Sequence, residues 1–109
     1  MLVQLMDDVE ERENSTDVAR QFTISSPTFS FDGMEESLQL KYTGMNKSIP
    51  PQFLIDVNFS CTHSGYGDRT GKILLQVITP HIMKITVIES KVTSAVIDEK
   101  WDEIKQQSL

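Results

Sequence analysis

Apolar side chains occupy every odd position from Phe53 to Cys61 (Phe53, Ile55, Val57, Phe59, Cys61), while Gln52, Asp56, Asn58, Ser60 and Thr62 take most of the even ones. Successive strand residues point to opposite faces, so this period of two predicts a strand with one face on a core and the other wet. That is the pattern of an antiparallel sheet covered on a single side. Leu54 is the exception. Met83, Ile85 and Val87 repeat the alternation, Glu89-Ser90-Lys91 turns the chain, and Val92 to Ile97 returns as a hairpin partner. Ser37 to Tyr42, with Leu38, Leu40 and Tyr42 on one side, predicts a further strand, as does Thr28-Phe29-Ser30-Phe31 before an Asp32-Gly33 turn. Ile73 to Ile78 reads as a buried strand or a short apolar connection, punctuated by Thr79-Pro80-His81.

The period changes at both ends. Leu2, Leu5, Met6 and Val9 follow the spacing of one helix face, and Asn14-Ser15-Thr16-Asp17 offers caps for a second helical stretch through Val18 and Phe22. Ser25-Ser26-Pro27 ends it. At the other end Asp98 is placed to cap a short helix carrying Trp101, Ile104 and Lys105, docked by Trp101. The expectation is a single domain, 1–109, with an N-terminal helical segment (1–22), a strand-rich core (27–98) and a short helix (98–107). Its class is α+β: an antiparallel β-meander of four to six strands with an N-terminal helix and a short C-terminal helix. A mainly-β sandwich or partly open barrel is the alternative. Phe53, Ile55, Val57, Phe59, Met83, Ile85 and Val87 form the predicted core, with Trp101 at its margin.

Composition narrows the function classes. At 109 residues, 39% hydrophobic and 24% charged, the chain has the make-up of one folded domain. A net charge of −6 opposes nucleic acid and anionic membranes as partners, leaving a protein or a small ligand. No stretch approaches the length of a membrane-spanning helix, so no membrane span is expected. The single Cys61 cannot form an internal disulfide and says nothing of the redox compartment. Met1 to Met6 runs into Asp7-Asp8 without a basic flank, so it does not read as an intact signal peptide, although a mature form with its leader removed would look the same. The only three asparagines, Asn14, Asn46 and Asn58, each open an Asn-x-Ser/Thr triplet, which leans towards an extracytoplasmic location and also suits ordinary turn and strand chemistry.

A strand ending in a cysteine, a glycine-bearing loop and then Ile85-Thr86-Val87-Ile88-Glu89-Ser90-Lys91-Val92-Thr93-Ser94-Ala95-Val96 resembles the V-x-V-x-x-G-x-V-x-S hairpin of small, uncharacterised secreted or lipoprotein-type β-meander domains of prokaryotes. The resemblance covers residues 53 to 98 and implies an antiparallel meander with a helix against one face. The chain departs from the pattern at Ser90, where glycine is usual, and lacks the lipoprotein cysteine near its start. No catalytic residue follows from it.

Three of the five glycines fall within His63-Ser64-Gly65-Tyr66-Gly67-Asp68-Arg69-Thr70-Gly71. Glycine reaches positive φ without steric cost, so this loop is a shaped turn or a contact surface. Its spacing is not that of a phosphate loop, because Gly71-Lys72 is followed by Ile73. The favoured reading is a non-enzymatic binding or interaction module, with Tyr66, Asp68, Arg69, Thr70 and His63 as the contact residues. The alternative is a small metal-dependent or hydrolytic enzyme using His63, His81, Asp68 and Arg69. Cys61, His63 and His81 are metal-ligating types, but Cys61 and His63 share a face with large apolar side chains, so no metal, cofactor or catalytic residue is expected. Asp7, Asp8, Glu10, Glu11 and Glu13 read as a solvated helix face.

Overall fold

The computed structural model describes the backbone of residues 2–109 and the side chains of residues 9–109. Helix α1 (Leu2–Ser25) and short helix α2 (Pro27–Asp32) precede a 3-10 turn (Glu35–Ser37). Six strands follow: β1 (Gln39–Asn46), β2 (Gln52–Cys61), β3 (Thr79–Ile88), β4 (Lys91–Ile97), β5 (Trp101–Asp102) and β6 (Gln107–Ser108). They form one sheet in sequence order, every neighbouring pair antiparallel. This is the α+β meander that the alternation predicts.

The register explains the core. Phe53 lies opposite Val87, Ile55 opposite Ile85 and Val57 opposite Met83, so the apolar positions of β2 and β3 meet on one face. All seven predicted core residues are buried, and Trp101 is half-buried against them. α1 crosses that face from β1 to β4. Ser15, Ala19 and Thr23, four residues apart on α1, are buried beneath it, with Val18 and Phe22 alongside. On the opposite sheet face the even residues of β2 are half-buried or exposed, which is the wet side of the pattern. The β3–β4 hairpin turns through Glu89 (φ 49°) and Ser90 (φ 63°), the left-handed pair that a tight hairpin needs. Ser90 therefore adopts the conformation in which glycine is usual.

Several local expectations give way to tertiary demands. The N-terminal region is one continuous helix, because Ser15 and Thr16 donate their hydroxyls back to the Arg12 carbonyl, at 3.0 and 2.9 Å, instead of capping a new start. Of the predicted stripe, Leu2, Leu5 and Met6 lie outside the described side chains, as do Asp7 and Asp8; Val9, Glu10, Glu11 and Glu13 are exposed. Thr28 to Phe31 forms α2, not a strand. Pro27 takes a first-turn position, where its missing N–H costs no hydrogen bond, and the helical turn carries Thr28 and Phe29 inward together. The short helix is thus at 27–32. The predicted helix at 98–107 is absent: left-handed Asp98 (φ 54°) and Glu99 (φ 58°) reverse the chain at once, so Trp101 pairs with Ile97 in β5. Ile73–Ile78 forms neither strand nor buried connection. Pro80 belongs to β3, at the end of that strand beyond the reach of β4, where no ladder bond is required of it. Among the described residues no helix is long and apolar enough to cross a membrane.

Candidate functional site

Cys61 and Thr79 are paired across β2 and β3, so residues 62–78 leave the sheet and return to the same place. The first part of this connection is folded down by Arg69, whose side chain is 2% exposed. Its Nε donates to the Gly67 carbonyl at 2.9 Å, and Nη1 donates to the carbonyls of Ser64 and Gly65 at 3.2 and 3.1 Å. Nη2 donates to the Thr28 carbonyl and to Asp32 Oδ1, both at 2.8 Å. The guanidinium also lies over the Phe31 ring, 4.7 Å from its centroid. Wrapping three loop carbonyls around one side chain demands tight backbone. Gly65 has φ +99°, and a Cβ there would stand 2.9 Å from Arg69 Cδ. Gly67, at φ +72°, is buried and donates its amide to Thr28 Oγ1 at 2.7 Å.

Asp32 is the charge that matches Arg69. Its burial raises the pKa of the carboxyl, but the Cys61 thiol, the Arg69 charge and the backbone and ring nitrogens of His63 outweigh that and hold it below the usual carboxylate range. The His63 amide donates to Oδ2 at 2.8 Å, and Nδ1 lies 3.1 Å from the same atom. Cys61 is fully buried, its Sγ 3.7 Å from the Thr28 carbonyl. Burial and the neighbouring Asp32 carboxylate push its thiol up to about 12, so at neutral pH the sulfur is held as the neutral thiol.

A second cluster stands beside the first. Tyr66 stacks on Trp101 at 5.5 Å between centroids and donates its hydroxyl to Asp98 Oδ2 at 3.0 Å. Burial and that acceptor push its phenol up to about 12. Buried His81 places Nδ1 2.7 Å from the same Asp98 oxygen. Burial raises the Asp98 carboxyl, but His81, the Ile82 amide and Tyr66 together hold it low. An aspartate on Nδ1 is the base half of a nucleophilic triad. Here Nε2 of His81 is buried without a hydrogen-bond partner among the described residues, so no hydroxyl or thiol is set to be activated. Below both clusters buried Glu103 accepts from the Thr28 amide and hydroxyl, at 2.9 and 2.6 Å, and from Trp101 Nε1 at 3.0 Å.

The predicted contact residues therefore separate. Arg69 is corrected from a surface anchor to a buried pin, because its donors are consumed by loop carbonyls and Asp32. Tyr66 is half-buried as a strut against Trp101. His63 keeps 32% of its side chain exposed. Asp68 and Thr70 face outward; Asp68 Oδ1 accepts from the Thr70 amide and hydroxyl, at 3.0 and 2.6 Å, and these bonds hold its carboxyl low. With Ser25, Pro27, Ser30 and Phe31 they line a shallow groove of about 460 Å³. The four residues of the enzyme reading do not converge: His63 and Arg69 meet at the Asp32 carboxylate, while His81 turns to Asp98 and Asp68 to solvent. Among the described residues no group of three His, Cys, Asp or Glu side chains is placed to hold a metal ion.

Sequence reasoning missed the second half of the connection. Ile73 is 103% exposed, Leu75 71%, Val77 52% and Ile78 63%, in a segment with no helix, strand or turn. Apart from Ser64 N–H to the Leu75 carbonyl (3.3 Å) and the Thr79 hydroxyl to the Val77 carbonyl (2.8 Å), its backbone makes no hydrogen bond among the described residues. The apolar run itself was legible; its exposure was not. Comparison with protein-family models, with curated proteins and with solved structures returns no match.

Proposed function

We propose that the chain is a non-enzymatic interaction module that docks through the β2–β3 connection. The Gly65–Gly71 loop is its rigid frame, Ile73–Ile78 its apolar contact, and His63, Asp68 and Thr70 its polar margin. The carrying observation is the exposure of Ile73, Leu75, Val77 and Ile78 on a segment whose N–H groups donate to no group among the described residues. Soluble domains rarely expose a contiguous apolar patch without using it. Unpaired backbone along an exposed apolar run is the chemistry of strand addition, in which main-chain bonds supply affinity and side-chain pockets supply specificity. The partner that fits is a protein with an open sheet edge above an apolar surface.

Photo-crosslinking residues placed singly at Ile73, Leu75, Val77 and Lys100 in the full chain test this in its native cells. Strand addition predicts that positions 73, 75 and 77 capture consecutive alternate residues of one strand in one partner, while exposed Lys100 does not. A covalent pair of identical chains through the same positions would identify the partner as a second copy. Products at 73, 75 and 77 that match those at Lys100 would sink the proposal.

A further inference from the structure

We propose that Asn46 is an N-glycan acceptor, selected by the fold over Asn14 and Asn58. All three asparagines of the chain open Asn-x-Ser/Thr triplets, an outcome on the order of 1% by chance for 20 Ser and Thr residues in a chain of this length. All three are exposed, so exposure alone does not choose among them.

Presentation of the triplet does. A transferase must engage the asparagine amide and the hydroxyl two residues later together, on a segment that can enter its cleft. Asn14 and Thr16 lie within α1, where residues two apart point about 200° apart around the axis. The Asn14 amide already donates to Ser90 Oγ at 2.8 Å, and the Thr16 hydroxyl to the Arg12 carbonyl at 2.9 Å. Asn58 lies inside β2, with Gln39 of β1 on one side and Ile82 of β3 on the other. Its partner Ser60 is half-buried, with the amide held by Ser37 Oγ at 2.8 Å and the carbonyl by the Met34 amide at 2.8 Å. Neither triplet can be drawn out without unfolding an element.

Asn46, by contrast, is the last residue of edge strand β1 and opens the irregular stretch 47–51. Asn46, Lys47, Ser48 and Ile49 are all exposed. Among the described residues the Asn46 amide has only a long contact, 3.4 Å, to Gln52 Oε1 across the hairpin mouth, and the Ser48 hydroxyl donates locally to the Pro50 carbonyl at 2.8 Å. Both groups of this triplet stand on the surface of a hairpin tip.

The donor is a polyprenyl-phosphate-linked saccharide. A bond forms from Asn46 Nδ2 to the saccharide C1 as the C1–O bond to phosphate breaks; the amide proton passes to a carboxylate of the transferase and the lipid phosphate departs. Such transfer places the chain outside the cytoplasm during its life. A glycan at the end of β1 would also shield the open edge of the sheet, whose unpaired backbone otherwise invites association.

The test is peptide mass spectrometry on the protein isolated from its native cells, with Asn46→Gln and Ser48→Ala variants expressed alongside. A saccharide mass on the peptide bearing Asn46, lost in both variants, with the Asn14 and Asn58 peptides unmodified, is expected. An unmodified Asn46, a saccharide on Asn14 or Asn58, or a modification that survives Ser48→Ala overturns the proposal.

Discussion

Arg69 Nη2 lies 2.8 Å from Asp32 Oδ1, with 2% and 7% of the two side chains exposed, so a loop from beyond β2 is bolted to the end of α2 by a buried ion pair. A desolvated pair of this kind is weak as a net source of stability, yet removing one partner leaves the other charge uncompensated. Here it would also leave the carbonyls of Ser64, Gly65, Gly67 and Thr28 without their donor. Arg69→Met should therefore cost about 3–5 kcal/mol in urea denaturation. A loss below about 1 kcal/mol would show that the loop does not depend on this side chain.

The same pair sets an acid limit. The Asp32 pKa is depressed in the folded state, so its contribution is fully present above the unfolded value near 3.8 and is lost as pH falls through the lower folded value. The stability gap between wild type and Asp32→Asn should accordingly narrow as pH drops below 3.8. Denaturation midpoints measured from pH 5 down to pH 2 check this; a gap that stays constant or widens contradicts it.

Two glycines should respond unequally to the same substitution. Gly67 lies at φ +72°, and a Cβ there would meet Gln106 Oε1 at 2.7 Å and Trp101 Cζ2 at 3.3 Å. Gly67→Ala should cost about 1–2 kcal/mol from the left-handed backbone alone. Gly44, at the irregularity in β1, has nothing among the described residues within 4 Å of a built Cβ. Gly44→Ala should stay within about 0.5 kcal/mol of wild type. Equal melting temperatures for the two variants would refute the contrast.

Cys61 should behave as a buried hydrophobe. It has no exposed surface, and its thiol is pushed up to about 12 by burial and the neighbouring Asp32. A disulfide-exchange reagent at pH 8 should label native protein only at the rate of opening, and labelling should become immediate in denaturing urea. Rapid stoichiometric labelling of the native protein would place the thiol at the surface.

Much of this fold is legible in the order of residues. The odd positions of 53–61 and the run Met83, Ile85, Val87 carry a strict period of two, and burying that face admits only one register, so the core follows directly. The β3–β4 hairpin follows from the break between two such runs. Short-range signals fail where a distant group claims the same atoms. Thr28 has the composition of a strand residue, but its backbone and hydroxyl serve Glu103, Gly67 and Arg69, and only a helical turn brings it to all three. Asp98 reads as a helix cap; it accepts instead from the Ile82 amide, His81 and Tyr66. Arg69 has the composition of a surface contact, and only the wrap of the glycine loop turns it inward. The apolar run Ile73–Ile78 reads as interior for the same reason, since hydrophobicity states what burial would gain but not whether the chain has anything to bury it against. By itself the sequence determined the periodicity and hence the sheet and its core. Tertiary structure decided which polar groups meet beneath the loop and which apolar ones are left outside, because those outcomes depend on contacts between residues far apart in the chain that carry no local spacing.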